Sequence, residues 1–387
     1  MGSGHVLNQS QVCRTAAICF GLSLALFAVG GWEEDARADG VTPQADDWIT
    51  INKDYSSQRY VDLDQITPRN VDKLKEVCEI QLNEPVYFNS GILKVGRTLY
   101  TTTLRGTYAF DAVTCELNWR HTIDFKEALA GLSNRGAAYL DGKIFRGAAD
   151  GHVIALDAKT GDPVPAWPNG GVKAADPARL ESFISAPIAW QGKVFIGIGV
   201  SDNGVAGRLM AFSADTGEQL WSFDTTLGFP AGGGFWSTYS LDPKTGEVFA
   251  PVANPFPDFS RFVGFPPPNG DLQITKYTDS VISVDADTGH LNWSFQVVPG
   301  DEHDWDLAPP PTLYRTSNGE NGRSLLALAG KSGRVYVIDR ETQLLAFNDT
   351  PATTLENDQV PQLVDARVSR PEWRRDVQRR GLSPGDR

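Results

Sequence analysis

The segment His303-Asp304-Trp305-Asp306 holds a dense group of side chains that could carry acid–base chemistry. A histidine beside a carboxylate could act as a catalytic dyad. No serine nucleophile motif accompanies it, so we expect only loop roles for His303 and Asp304. Asp306 has two interpretations from its local sequence. It could be a general base, or a turn residue whose carboxylate accepts hydrogen bonds from its own backbone.

The histidines and cysteines form no transition-metal motif. The five His and four Cys are scattered, and the chain contains no CxxC, HExxH or CxxCH pattern. Zinc fingers, HExxH zinc proteases and covalently attached c-type haem are therefore excluded. Cys78 and Cys115 could form one disulfide, or they could remain two buried thiols.

Residues 1–38 are predicted to be a secretory signal peptide. Arg14 precedes the apolar run 15–31, and residues 36–38 (Ala-Arg-Ala) provide a small-x-small cleavage pattern. The alternative is an uncleaved membrane anchor, although the run is short for a span. Cleavage after Ala38 would remove Cys13 and Cys19. We then expect the mature chain in a bacterial periplasm, without a membrane span.

The composition is that of a globular, turn-rich chain. Its 387 residues are 41% hydrophobic and 21% charged, which rules out general disorder. Lys+Arg 35 against Asp+Glu 48 gives a net charge of −13, so we expect no nucleic-acid or anionic-membrane partner. Gly 38, Pro 24 and Trp 10 favour an all-β fold over a helical one.

Six segments repeat one hairpin pattern. Each has an alternating apolar strand, a turn related to Asp-x-x-Thr-Gly, and a second short strand that ends in an aromatic residue. The Asp and Thr side chains can bond backbone amides, and Gly supplies the positive φ of the turn. With the strand-like runs between them, four short strands per unit indicate a β-propeller rather than a stacked sandwich. The segments are 108–119, 153–167, 209–221, 239–249, 281–293 and 335–347.

The pattern predicts a propeller over residues 39–366, with about six blades' worth of sequence. Residues 367–387 contain seven Arg and two Pro and no strand pattern. This stretch is predicted to be a disordered tail or a surface helix.

Motifs in a fixed order make the chain similar to the pyrroloquinoline quinone (PQQ)-dependent alcohol and sugar dehydrogenases. The resemblance covers nearly all of residues 46–347. It implies the family fold, an eight-bladed propeller with the quinone in a central funnel beside a calcium ion, with the last blades missing here. The motifs are SQRY (57–60) with DQI (64–66), NRGAAY (134–139), GVAG (204–207), GGGFW (232–236), ANP (253–255), WD (305–306) and KSG (331–333).

The resemblance implies catalytic roles for two residues. Asp306 falls on the family's catalytic base, which removes the hydroxyl proton of the substrate as hydride leaves for the quinone. Lys331 falls on the basic residue that donates to the quinone oxygens, where a cation stabilises charge on the reduced ring.

The resemblance also implies cofactor and metal ligands. Trp236 matches the indole beneath the quinone, and Arg135 resembles the residue that pairs with a quinone carboxylate. Asp202, Asn254 and Asp306 are the implied ligands of Ca²⁺, which prefers hard oxygen donors. Structural alternatives remain. Trp236 could be blade packing, Arg135 could form an ion pair, and Asp202 and Asn254 could be turn residues.

The sequence departs from the family at several positions. Leu129 and Ala130 stand where the alcohol dehydrogenases have two adjacent cysteines, which sugar-oxidising relatives also lack. Ile184 replaces a Thr that contacts the quinone, and Asp202 replaces the usual Glu. Ala308 stands where lanthanide-using relatives carry an extra Asp, so the resemblance indicates calcium.

Together these inferences predict a periplasmic PQQ- and Ca²⁺-dependent dehydrogenase that oxidises an alcohol or sugar hydroxyl. A separate cytochrome or quinone would accept its electrons. The alternative is a non-catalytic PQQ-repeat propeller that serves as a protein-interaction scaffold of the envelope. A scaffold needs no convergent ligands, so the presence of Asn254, Asp306 and Lys331 together with Trp236 favours the enzyme.

Overall fold

The computed structural model describes residues 44–351, except for 85–86, 126–128, 130, 227–230, 257–276, 300, 302–303, 308, 318–321 and 348–349. The described residues belong to one compact unit, Ala38–Arg387. The predicted signal peptide (1–38), the Arg-rich tail (367–387) and the predictions for Ala130, His303 and Ala308 lie outside the described residues.

The described chain forms five antiparallel sheets, in each of which strands adjacent in sequence are neighbours. Sheet 1 contains β1 Leu93–Val95, β2 Thr98–Thr102, β3 Gly106–Asp111 and β4 Leu117–Thr122. Sheet 2 contains β5 Ala138–Leu140, β6 Lys143–Gly147, β7 His152–Asp157 and β8 Gly171–Lys173. Sheet 3 contains β9 Ile188–Trp190, β10 Lys193–Gly197, β11 Arg208–Ser213 and β12 Gln219–Asp224.

Sheets 4 and 5 follow the same plan. Sheet 4 contains β13 Ser240–Asp242, β14 Glu247–Pro251, β15 Ser280–Asp285 and β16 Leu291–Gln296. Sheet 5 contains β17 Thr312–Arg315, β18 Ser324–Ala329, β19 Arg334–Asp339 and β20 Leu344–Leu345, and β21 Thr350–Pro351 also pairs with β19. Short 3₁₀ helices among the described residues are Val71–Lys73, Pro168–Gly170, Pro177–Arg179 and Ser201–Asn203.

The hairpin turns close as the sequence predicts. Asp157 Oδ1 accepts hydrogen bonds from the backbone N–H groups of Lys159 (2.8 Å) and Thr160 (2.9 Å), and Gly161 has φ +77°. Asp285 and Gly289 repeat this arrangement in sheet 4. In sheets 2, 3 and 4 a side-chain cap and a left-handed glycine together define the turn that leaves the third strand.

Tryptophans connect sheet 1 to sheet 2, sheet 2 to sheet 3 and sheet 3 to sheet 4. The indole N–H donates to a turn carbonyl of the following sheet in the pairs Trp119–Ala158 (3.0 Å), Trp167–Ala214 (3.1 Å) and Trp221–Ala286 (3.0 Å). The indoles also lie against the turn glycines, since a Cβ on Gly161 would be 2.4 Å from Trp119. The glycine therefore serves both the positive φ and the close approach of the ring. Four buried apolar clusters fill the spaces between successive sheets.

The number of sheets corrects the expected number of blades. The six hairpin segments occupy five sheets of the described chain, because 239–249 and 281–293 both belong to sheet 4. The turn Asp242–Gly246 joins the first two strands of that sheet, whereas the turn Asp285–Gly289 joins its last two. The all-β propeller prediction itself agrees with the five meander sheets.

Sheet 1 carries a covalent link. Cys78 and Cys115 form a disulfide, which decides between the two alternatives left open by the sequence. Cys115 has φ +62° and occupies the turn position that Gly161 occupies in sheet 2. The bond joins an exposed segment without strands to the turn between β3 and β4.

Arg146 on β6 is fully buried and organises the loop before β3. Its guanidinium donates to the carbonyls of Gly106 (2.7 Å), Thr103 (3.0 Å), Leu104 (3.0 Å) and Gly147 (3.0 Å). Burial disfavours the charged form and lowers the pKa of Arg146 to about 10.

Candidate active site

The carboxylate of Asp306 is the centre of a buried polar group. Oδ1 accepts a hydrogen bond from the backbone N–H of Asn254 (2.6 Å), and Oδ2 accepts one from the indole N–H of Trp236 (3.0 Å). The ammonium of Lys331 lies 2.7 Å from Oδ2. These partners are distant in sequence, so the carboxylate does more than cap its own turn.

The site is built where chain segments leave strands of sheets 4 and 5. Asn254 follows β14, Asp306 precedes β17, and Lys331 lies between β18 and β19. Trp236 precedes β13. Side chains separated by as many as ninety-five positions (331 − 236) therefore meet because sheets 4 and 5 are adjacent.

Lys331 joins two carboxylates. Its Nζ lies 2.7 Å from Oδ1 of Asp304 and 2.7 Å from Oδ2 of Asp306. Burial opposes the charge of Lys331, but the attraction of Asp306 and Asp304 raises its pKa above the ordinary lysine value. The ammonium therefore stays protonated in this group.

Asp304 belongs to the site, although we expected only a loop role for it. Burial, followed by repulsion from Asp306, raises the pKa of Asp304 to about 7. Its backbone has φ +58°, a conformation that no local motif signalled. The only available signal was its position two residues before Asp306.

Asp202 and Asn254 provide oxygen atoms beside Asp306. Asp202 is an exposed residue that makes a side-chain hydrogen bond with Asn254. Desolvation of its carboxylate by surrounding protein atoms, followed by repulsion from Asp306, raises its pKa. Asn254 Oδ1 is buried without a hydrogen-bond partner. An orphaned amide oxygen near two carboxylates suits a hard cation such as Ca²⁺. Within the described residues, no three His, Cys, Asp or Glu side chains form a metal cluster, so such a site needs the amide of Asn254.

Arg135 and Lys331 both approach the ring of Trp236. The guanidinium carbon of Arg135 lies 4.6 Å from the ring centroid, and Lys331 Nζ lies 5.6 Å from it. Arg135 Nε is buried without a hydrogen-bond partner, and burial lowers the pKa of the guanidinium. An aromatic surface beside a partly unsatisfied cation suits a flat, anionic ligand.

The position of Arg135 depends on Ile184, the residue at the expected quinone-contact position. The backbone N–H of Arg135 donates to the carbonyl of Ile184 (3.1 Å). The hydroxyl of the neighbouring Ser185 donates to the carbonyl of Gly197 (3.1 Å) and lies 3.1 Å from the hydroxyl of Tyr239. Ser185 is therefore engaged in strand packing in this structure.

Asp279 is a further carboxylate that the sequence did not identify. It is fully buried, and neither of its carboxylate oxygens has a hydrogen-bond partner. Burial, followed by repulsion from Asp301, Asp306 and Asp304, raises its pKa well above the ordinary range. We infer that this side chain is largely neutral in the folded, metal-free chain.

Substitution of Asp279 by Asn should remove a loss of folding free energy that the wild type undergoes as pH rises. The folded chain retains a proton at Asp279 that the unfolded chain loses above the usual aspartate pKa, so the contribution of this residue to the free energy of unfolding falls as pH rises from about 4. Asn cannot ionise. We expect the variant to be more stable by about 1–3 kcal/mol at neutral pH.

Urea unfolding at several pH values, with chelator present, measures this difference. Asp215→Asn, which alters an exposed turn carboxylate, is the control. Identical pH dependence of Asp279→Asn and wild type would show that Asp279 does not hold the extra proton.

No helix in the described ranges is long and apolar enough to cross a membrane.

The five meander sheets define a β-propeller, and the site lies at the ends of its strands. Residues 48–362 match the PQQ family described as "Glucose/ethanol/alcohol dehydrogenase, beta-propeller domain". The chain belongs to this family. The family and the fold inferred from the ordered motifs are thus confirmed.

Individual relatives are similar over most of this chain. Quinohemoprotein alcohol dehydrogenase ADH IIB of Pseudomonas putida is 31% identical over 355 residues, covering 84% of this chain and 50% of the relative. Lanthanide-dependent methanol dehydrogenase of Methylacidiphilum fumariolicum (strain SolV) is 28% identical over 336 residues, covering 76% and 53%. The solved structure of quinohemoprotein alcohol dehydrogenase ADHIIG from Pseudomonas putida HK5 has a TM-score of 0.70 and 27% identity, covering 80% of this chain and 48% of that one. The chain spans about half the length of these relatives.

Proposed function

We propose that the chain acts as a periplasmic PQQ-dependent dehydrogenase that oxidises an alcohol or sugar hydroxyl, with Ca²⁺ at its site. The observation that carries this proposal is the buried carboxylate of Asp306, oriented by Trp236, Asn254 and Lys331. Membership of the PQQ family supplies the cofactor class.

Asp306 would take the proton of the substrate hydroxyl. Its donors come from three different segments, so the carboxylate is oriented before substrate arrives, which is what a general base requires. PQQ, when bound, would accept the two electrons released as the substrate carbon is oxidised. Lys331 would donate hydrogen bonds to quinone oxygens while it remains paired with Asp304 and Asp306.

Other residues would bind and orient the quinone and the calcium ion. Trp236 would support the flat face of the cofactor, and Arg135 would pair with a carboxylate of the quinone. Asp202, Asn254 and Asp306 would hold the calcium ion, and the partnerless Oδ1 of Asn254 supports that assignment.

The proposal also includes the cellular compartment of the chain and its electron acceptor. The Cys78–Cys115 disulfide supports folding in an oxidising compartment such as the periplasm. Electrons would leave to a cytochrome or quinone acceptor.

Reconstitution tests the proposal. The purified mature chain is incubated with Ca²⁺ and PQQ and freed of unbound quinone, and bound quinone is measured by absorbance. Dye reduction is then followed with a panel of alcohols and sugars. We expect stoichiometric quinone retention and substrate-dependent dye reduction. Arg135→Gln should reduce retention, whereas Arg179→Gln, in a 3₁₀ helix, should not. A folded chain that retains no quinone and reduces no dye would instead favour the scaffold alternative.

A further inference from the structure

The segment Gly232–Gly234, here called the triglycine segment, lies between two loops of the proposed calcium site. It forms isolated bridges from Gly232 to Ala206 on one side and to Pro255 on the other. Asp202 precedes the first partner loop by a few residues, and Asn254 lies in the second. Trp236 lies two residues after the end of the segment. One short backbone stretch thus adjoins three parts of the site.

Backbone hydrogen bonds connect the triglycine segment to both loops. Toward the Asp202 side, the bonds are Gly232 N–H to Val205 O (3.0 Å) and Gly207 N–H to Gly232 O (2.9 Å). Toward the Asn254 side, they are Gly233 N–H to Asn254 O (2.8 Å) and Ala253 N–H to Gly234 O (3.0 Å). The separation of the two loops is therefore fixed by the width of this segment.

Side chains cannot be accommodated at these contacts. A Cβ on Gly232 would lie 2.6 Å from the backbone nitrogen of Phe256 and 2.8 Å from Cα of Pro255, and Gly232 has φ +100°. A Cβ on Gly207 would lie 1.8 Å from the carbonyl oxygen of Gly233. Since the obstructing atoms are backbone atoms, a larger residue must push the two loops apart.

Thr225 binds the triglycine segment through its hydroxyl group. This residue is fully buried, and its hydroxyl lies 2.9 Å from the carbonyl oxygen of Gly207 and 2.8 Å from that of Gly233. A single hydroxyl thus connects the triglycine segment to the loop that follows Asp202. Thr225 itself contacts no proposed cation ligand in these bonds.

We propose that Thr225 and Gly232 are positioning residues that set the spacing between Asp202 and Asn254, and with it the affinity and size preference of the cation site. This inference rests on the calcium site of the proposed function. Residues behind metal ligands typically change metal affinity by about 10–100-fold when they are replaced.

The test measures Tb³⁺ binding directly by terbium luminescence sensitised through Trp236. Competition by Ca²⁺ and by small and large lanthanide ions then measures the preference of the site for ion size. Gly232→Ala and Thr225→Val should each weaken Tb³⁺ binding by about 10-fold or more and should alter the preference for ion size. A purely structural role would lower thermal stability but would leave the size preference unchanged.

Two matched controls separate positioning from general damage. Gly192→Ala introduces a side chain at a similar positive φ (+72°), with no atom within 4 Å of the new Cβ. Thr225→Ser keeps the hydroxyl and should restore wild-type binding and size preference. Should Gly232→Ala fail to fold, Thr225→Val and Thr225→Ser decide the question.

The possible outcomes distinguish the two proposals. If wild type binds neither Tb³⁺ nor Ca²⁺, the calcium site of the proposed function is wrong. If wild type binds and the folded variants bind equally well with the same size preference, the positioning role is overturned while the calcium site stands.

Discussion

Replacement of Asp306 by Asn should lower turnover of the quinone-reconstituted chain by about 10²–10⁴-fold, the usual contribution of a general base. Asn is almost isosteric and can still accept the backbone N–H of Asn254 through its amide oxygen. It cannot take up the substrate proton. In the wild type, the donors of Lys331 and Trp236 face a carboxylate oxygen of Asp306. In the variant, the same donors would face the NH₂ group of Asn, which cannot accept their hydrogen bonds.

Quinone retention should largely persist in Asp306→Asn, because Arg135 and the ring of Trp236 are unchanged. Turnover is measured by dye reduction at saturating substrate, and retention by absorbance after removal of free quinone. Asp304→Asn is the matched control, since it alters the other carboxylate of Lys331 and should cost much less turnover. Wild-type-like rates in Asp306→Asn would refute the assigned base.

Replacement of Arg146 by Met should destabilise the fold by about 3 kcal/mol or more. The guanidinium is the donor for four backbone carbonyls, and each buried acceptor left without a donor costs about 1–3 kcal/mol. Met fills similar space but donates nothing. The loop Thr103–Gly106 would lose the contacts that attach it to β6.

Urea unfolding measures this change in the free energy of unfolding, provided that the variant and the wild type have the same m-value, the slope of free energy against urea concentration. Arg146→Lys keeps a cation but has fewer donors in a different geometry. Its free energy of unfolding should therefore lie between those of Arg146→Met and the wild type. A loss below about 1 kcal/mol for Arg146→Met would mean that water replaces the guanidinium, contrary to its full burial.

Local turn chemistry made the strands and hairpins predictable, but it did not determine their assignment to sheets. Asp242–Gly246 and Asp285–Gly289 have the same Asp-x-x-Thr-Gly pattern. The first turn joins the opening strands of sheet 4 and the second joins its closing strands. Because the same caps stabilise both turns, the sequence pattern suggested one more sheet than the described residues form.

The residues of the candidate site were predictable only in part, because some of them belong to family motifs and others do not. Asp306, Lys331, Asn254 and Trp236 were identified from the order of family motifs, and the structure places them together. Asp304 and Asp279 have no comparable signature. Their roles follow from tertiary burial and from neighbours far away in the chain, which no local pattern encodes.

The disulfide of sheet 1 has a consequence for the biogenesis of the chain. In sheets 2, 3 and 4 the turn position of Gly161, Gly217 and Gly289 receives an indole from the preceding sheet. In sheet 1 that position is Cys115, bonded to Cys78. Oxidation of these thiols therefore adds a covalent constraint to sheet 1 at a turn where sheets 2, 3 and 4 have a glycine packed against an indole. If the proposed periplasmic location is right, chains that fold in a reducing compartment would lack this bond, and we expect them to have a lower free energy of unfolding.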